Sequence, residues 1–359
     1  MNKTDLRSYG LTPFFEQEAA SYKGLFIARV CEQHRNLYRV VCENGEILAV
    51  VSGKLAHEAN DSTGFPAVGD WVMIDRIEDS SGNAVIHHVL RRKSVFTRKA
   101  AGTSHERQVV AANIDLVFIC MALNADFNLR RLERYLSIAW DSMATPVIVL
   151  TKADLCADLE TKLAQVSTVS VGTDVVVCSC MKDNGYQSIL PYIERGKTIA
   201  FIGSSGVGKS TLINRLMGKE VLDTKEIRSN GKGRHTTTHR QLLLLPNGGI
   251  VIDTPGMREL QLDSANLSRS FEDIEALARK CKYRDCSHTT EPGCAVRSAI
   301  EAGELAEERL ESYLKLQKEI GYEGLNYRQL EQEKIKRMFG SMGEMKQAKR
   351  FVKKKNQKR

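Results

Sequence analysis

From Gly24 onward, apolar and β-branched residues come in short runs: Leu25 to Cys31, Tyr38 to Cys42, Ile47 to Val51, Trp71 to Ile77 and Ala84 to Val89. Turn-forming residues separate them at Glu43-Asn44-Gly45-Glu46, Ala67-Val68-Gly69-Asp70 and Ser80-Ser81-Gly82-Asn83, so the pattern predicts about five strands in a small barrel. An OB-fold is the five-stranded candidate, and an SH3-like barrel would show a similar pattern. The residues before it, 1–21, have weak periodicity and fit either an arm or a lead-in to the first domain. From Ile114 the pattern changes to strands alternating with helices. Strands are expected at Ile114 to Leu123, Pro146 to Leu150, Asp174 to Cys178 and Thr198 to Ile202. Helices are expected at Asn128 to Trp140, Asp158 to Val166, Tyr186 to Ile193 and Thr211 to Met217. That alternation predicts a parallel sheet covered by helices on both faces.

The last strand of that series runs into Gly203-Ser204-Ser205-Gly206-Val207-Gly208-Lys209-Ser210, which matches the phosphate-loop pattern G-x-x-x-x-G-K-[ST] at every defined position. Gly203 and Gly208 let the backbone turn its N–H groups onto phosphate oxygens. Lys209 adds a positive charge for the β- and γ-phosphates, Ser210 offers a hydroxyl to Mg²⁺, and Thr211 begins the helix whose N-terminus faces the anion. A chance glycine-rich turn would lack this strand-loop-helix setting.

The strand Val147 to Leu150 ends in Thr151-Lys152-Ala153-Asp154, the position at which GTP-binding proteins carry Asn/Thr-Lys-x-Asp. The Asp154 carboxylate can accept from both N1–H and the 2-amino group of guanine. Adenine has no such pair of donors and would leave the carboxylate unpaired. Ser179 and Cys180, after the strand Val175 to Cys178, are placed to offer a backbone amide to the guanine oxygen.

Downstream, Gly231-Lys232-Gly233-Arg234-His235-Thr236-Thr237 forms a glycine-bearing loop in which Thr236 or Thr237 is expected to reach Mg²⁺ and the γ-phosphate. Paired strands are expected at Gln241 to Leu245 and Gly249 to Ile252, the second ending in Asp253-Thr254-Pro255-Gly256. In a D-x-x-G element of this kind, Asp253 holds Mg²⁺ through water and the Gly256 N–H senses the γ-phosphate. The next residue is Met257, where many GTPases place a water-orienting glutamine, and a thioether cannot take that role. His235 is the candidate replacement, since an imidazole accepts or orients a water near neutral pH, although a loop histidine is as often merely solvated. The guanine-reading segment precedes the phosphate loop, so the GTPase domain is circularly permuted and its γ-phosphate-sensing segment lies directly before the C-terminal part of the chain.

That C-terminal part opens with Cys281-x4-Cys286-x-His288-x5-Cys294, three thiols and an imidazole that match a closed, tetrahedral, structural Zn²⁺ site. Helical spacing then extends over Ala295 to Ile320, and residues 346–359 contain no acid. That terminal run, together with Arg91, Arg92, Lys93, Arg98 and Lys99 after the barrel, suits binding of a nucleic-acid backbone. The chain of 359 residues carries a formal net charge of +8, unevenly distributed, which is the electrostatic footprint such a partner requires. Nine cysteines, several inside apolar strand patterns, and no membrane-length apolar run predict a cytoplasmic protein with no membrane partner. A monomer is the default expectation.

The order T-K-x-D, phosphate loop, Gly-Arg-His-Thr-Thr-Thr, D-T-P-G and Cys-Cys-His-Cys resembles the RsgA family of ribosome-associated, circularly permuted GTPases, over about Gly24 to Ile320. The resemblance implies a multidomain α/β fold: an N-terminal OB-fold β-barrel, a circularly permuted P-loop GTPase domain and a C-terminal zinc-binding helical domain. It implies GTP hydrolysis stimulated by the small (30S) ribosomal subunit late in that subunit's maturation, contact with 16S rRNA, and His235 as the catalytic histidine. The expected boundaries are 1–21 for the arm, 22–100 for the barrel, 101–268 for the GTPase domain, 269–340 for the zinc domain and 341–359 for the tail. The alternative is a nucleotide-gated RNA-binding switch that binds GTP and GDP with little turnover.

Overall fold

The structure is a computed structural model that describes residues 3–34, 37–59, 62–78, 82–99, 107–181, 184–222, 240–253 and 267–321. The N-terminal stretch is not a free arm. Asp5 caps a 3-10 turn at Leu6–Tyr9, Pro13 opens helix α1 (Pro13–Ala19), and Leu6 and Phe15 are buried, with the Phe15 ring 5.7 Å from Trp71.

Strands β1 (Phe26–Gln33), β2 (Tyr38–Cys42) and β3 (Gly45–Val51) are followed by helix α2 (Gly53–Glu58), then β4 (Trp71–Ile74) and β5 (Ala84–Val89). They pair in the order β1-β2-β3-β5-β4, and β4 pairs back onto β1, so the five strands close into an OB-like barrel. β1 can serve both neighbours because a register shift between Val30 and Glu32 bends it. Alternate residues fill the interior, among them Ala28, Val30, Val40, Ala49, Val72, Ile74 and Ile86. A hairpin comes next that the hydrophobic pattern did not predict: β6 (Val95–Lys99) pairs antiparallel with β7 (Arg107–Ala112).

The alternating region contains β8 (Leu116–Ala122), α3 (Leu129–Asp141), β9 (Thr145–Thr151), α4 (Leu159–Ser167), β10 (Asp174–Val177), β11 (Thr198–Ile202), α5 (Lys209–Met217), β12 (Arg240–Leu244) and β13 (Ile250–Asp253). The sheet order is β10-β9-β8-β11-β13-β12, parallel except for β12. On β8, Val117, Ile119 and Met121 point into the core shared with α3, while Phe118, Cys120 and Ala122 point into the core shared with α5. This strict alternation explains why an uninterrupted apolar strand is required between two helical layers. The expected helix at Tyr186 to Ile193 is instead a 3-10 helix, Gln187–Tyr192, because Pro191 lacks the amide that an α-helical turn needs. β12 also pairs with β1, Gln241 opposite Glu32, which makes barrel and GTPase sheet one continuous eleven-stranded surface.

Helices α6 (Glu272–Ala278), α7 (Ala295–Glu301) and α8 (Glu307–Gly321) complete the described chain. The helical spacing expected to run from Ala295 to Ile320 is broken at Gly303, whose φ of 75° lies in the left-handed region. Phe271, Ile274, Val296, Leu310, Tyr313 and Leu316 join the core that also holds Leu132 and Leu136 of α3. Among the described residues no helix is long and apolar enough to cross a membrane.

Candidate nucleotide site and metal centre

The phosphate loop leaves the buried end of β11 and turns at Gly203, whose φ is 146°. A Cβ there would fall against the Cys120 carbonyl of the neighbouring strand, so only glycine fits. Gly206 and Gly208 also take positive φ, 76° and 101°, and Gly208 caps α5, which begins at Lys209 and carries Ser210 and Thr211 in its first turn. Ser205 and Gly206 are exposed while Val207 is buried, so the loop is anchored from beneath and open above. Lys209 Nζ donates to the Gly203 and Ser204 carbonyls, both at 2.7 Å, which holds the ammonium across the loop.

Thr151, at the end of β9 and almost fully buried, donates its hydroxyl to the Val207 carbonyl at 2.6 Å, tying the guanine-reading segment to the phosphate loop. Lys152 takes a left-handed φ of 56° and heads the short 3-10 turn that carries Asp154. The Asp154 carboxylate accepts from Ser179 Oγ, and the Ser179 amide donates to Gly185 at 2.8 Å, so the loop after β10 is folded onto the guanine-reading turn. Cys180 packs against the core that holds Leu212 and Ile213 of α5, and burial pushes its thiol up. Burial at the end of β13 raises the Asp253 carboxyl above its ordinary value, and the positive charge of Lys209 opposes that rise only in part. His235, Thr236, Thr237 and Gly256 lie outside the described residues, as does Met257.

Two side chains at this site had no signal in the sequence. Asp126 accepts from Ser204 Oγ, and Arg131 pairs with Asp126 at 2.7 Å and donates to Ser204 Oγ at 3.1 Å. Burial would raise the Asp126 carboxyl, but the bonds from Ser204 and Arg131 outweigh it and hold it below its ordinary value. Asn128, which opens the expected helix, caps α3 by accepting from the Arg131 amide at 2.9 Å.

Within the expected basic cluster after the barrel, Arg92 turns inward while Arg91 and Lys93 stay exposed. Arg92 pairs with the fully buried Asp70 at 2.7 Å and donates to the Thr63 and Phe65 carbonyls. Arg91 pairs with Glu18, and the Lys93 ammonium lies 4.8 Å from the Phe15 ring centroid. Arg92 therefore holds the 62–70 loop to the barrel, while the exposed Arg91 and Lys93 lie against α1.

Cys281, Cys286, His288 and Cys294 bring their ligand atoms within 4.8 Å of one another. The Cys281 and Cys294 sulfurs are 3.9 Å apart, and His288 Nδ1 is 3.7 Å from the first and 3.5 Å from the second. Ligands about 2.3 Å from a tetrahedral centre would be separated by this much, so the four residues fit a metal ion. The surrounding loop is braced independently: the Glu291 carboxylate accepts from the Thr289 amide at 2.9 Å and from Ser287, which with other backbone amides holds it down to about 2.

A family model described as RsgA GTPase matches residues 89–263. One described as ABC transporter matches residues 186–357, a range that contains the phosphate loop but not Asp154. "Small ribosomal subunit biogenesis GTPase RsgA 2" of Lactiplantibacillus plantarum is 54% identical over 346 residues, covering 96% of this chain and 97% of that protein. The crystal structure of YjeQ from Thermotoga maritima is similar at 29% identity and a TM-score of 0.61, covering 82% of this chain and 98% of that one. That of YloQ, described as a circularly permuted GTPase, has a TM-score of 0.59 at 24% identity, covering 85% and 98%.

Proposed function

The chain belongs to the RsgA family of GTPases, and from that premise we propose that it hydrolyses GTP in the biogenesis of the small ribosomal subunit. The observation that carries the reading is the bond from Thr151 to the Val207 carbonyl, which joins a guanine-type reading turn to a phosphate loop in one permuted sheet. In this reading the loop amides of 203–208 and Lys209 bind the β- and γ-phosphates, and Asp154 accepts from the guanine edge while Ser179 and Cys180 border it. Ser210, Asp253 and Thr236 or Thr237 hold Mg²⁺, which when bound neutralises charge on the phosphate oxygens. Gly256 senses the γ-phosphate. His235 would orient a water whose oxygen bonds to the γ-phosphorus as the bond from that phosphorus to the bridging β-phosphate oxygen breaks, the water's proton passing to phosphate oxygen and leaving GDP and inorganic phosphate.

The four ligands at Cys281 to Cys294 suit Zn²⁺, since three thiolates with one imidazole in a closed site favour it over harder cations. The barrel (22–100), the zinc-bearing unit (269–340) and the basic tail (341–359) would meet 16S rRNA around the GTPase domain (101–268). The protein would act as a cytoplasmic monomer. Co-sedimentation with purified small subunits tests the partner: retention with a non-hydrolysable GTP analogue and release with GDP are expected. Equal behaviour in both states, or equal binding to large subunits, would contradict it.

A further inference from the structure

The phosphate loop and the metal-bearing helices both rest on α3. At its N-terminal end, Arg131 and Asp126 hold Ser204 Oγ, and Ser204 is the loop residue whose carbonyl accepts from Lys209. Two residues further along, Glu133 is fully buried and accepts from Arg130 at 2.6 Å and from Arg309 of α8 at 2.8 Å. Arg309 in turn pairs with Asp273 of α6 at 2.6 Å and donates to the Ser270 carbonyl at 2.9 Å. Beside it on α3, Arg134 pairs with Glu319 near the end of α8.

These contacts differ in strength. A half-exposed pair such as Arg134 with Glu319 contributes little alone, whereas the buried Glu133 cannot release Arg309 without leaving a charge away from water. α3 has thirteen residues, a rod about 20 Å long that tilts as a unit. The contacts from Ser204 to α8 thus run through α3 and not through the segment after Asp253.

We propose that Asp126 and Arg131 are positioning residues for the phosphate loop, acting through Ser204, and that α3 relays the nucleotide state to the metal-bearing helices through Glu133, Arg134, Arg309 and Glu319. The inference rests on the GTPase reading and deepens it by naming how the site is coupled to the C-terminal helical unit. Coupling is reciprocal: what the nucleotide does to α8, a change at α8 does to nucleotide affinity.

The test uses the full, metal-loaded chain and two readouts, affinity for fluorescent GTP-analogue and GDP probes and hydrogen exchange of α8 amides in each state. In the wild type, α8 exchange should differ between the two states by about threefold or more. Glu133→Gln, which keeps the side chain's size but removes the charge that holds Arg309, should remove most of that difference, whereas Arg134→Gln or Glu319→Gln, both at half-exposed positions, should lower it only in part, with the double variant doing no more than either single one. Arg131→Met should weaken both nucleotides about tenfold, Arg131→Lys should recover most of the loss, and in a Ser204→Ala background Arg131→Met should have no further effect. A state difference in α8 that keeps its wild-type size in Glu133→Gln as well as in the Arg134 and Glu319 variants overturns the relay. Full additivity of Arg131→Met with Ser204→Ala overturns the positioning role. A wild type that binds neither probe removes the GTPase reading as well, and is distinguished at the binding step.

Discussion

In the proposed reading Asp154 carries the choice of nucleotide, because its hydrogen-bonding capacity matches guanine and not adenine. Replacing it by asparagine removes one acceptor and supplies a donor, so Asp154→Asn should weaken GTP by about ten- to hundredfold while improving xanthosine triphosphate, whose 2-oxo group needs a donor. Competition binding checks this, and an unchanged preference for guanine would remove Asp154 from the role. Arg29 matters for a different reason. It is fully buried, donates to the Gly69 and Asn113 carbonyls, the Tyr9 carbonyl and Thr198 Oγ1, and burial lowers its guanidinium to about 10. Those acceptors come from the N-terminal stretch, the barrel loop, the connection into β8 and the strand leading to the phosphate loop. Arg29→Met should cost about 3–5 kcal/mol by leaving several of them unpaired in the interior, measured by urea unfolding. Nothing in the run Phe26-Ile27-Ala28-Arg29-Val30 distinguishes an inward from an outward arginine, because period-two alternation allows either until the partner strands are in place.

At the level of elements, the buried strands and the phosphate loop were legible because their patterns are local: five apolar residues in succession, or glycines at set spacing. β6 and β7 were not, since Arg98, Lys99 and Arg107 interrupt the apolar alternation and the pairing supplies what composition does not. The Cys281 to Cys294 loop shows the opposite case, where ligand spacing alone indicated an assembled cluster. Chelating the metal, or Cys286→Ser, should lower the thermal midpoint of the α6 to α8 unit by several degrees while leaving GTP affinity within about twofold, since packing of Phe271, Ile274 and Tyr313 against the sheet remains. Differential scanning calorimetry and nucleotide titration measure the two halves of that expectation, with native mass spectrometry reporting metal occupancy. The Glu291 brace adds a pH signature: its carboxyl is held at about 2, below its ordinary value, so this support is fully present at neutral pH and is lost only as pH falls through the acid range toward that value.

Over the whole molecule, the circular permutation and the β12–β1 pairing have one consequence: the barrel, the phosphate loop and helices α6 to α8 are attached to a single sheet and its covering helix α3. The order of units along the chain was readable because each has its own motif. How they join was not, since it depends on Glu32 opposite Gln241 and on Glu133 with Arg309, pairs far apart in sequence. The most direct measurement is GTP turnover by wild type and His235→Ala, with and without purified small ribosomal subunits, with ATP and large subunits as controls. Strong stimulation of GTP hydrolysis by small subunits only is expected, lost in His235→Ala while nucleotide binding persists. Binding to small subunits without faster turnover would contradict a ribosome-triggered GTPase.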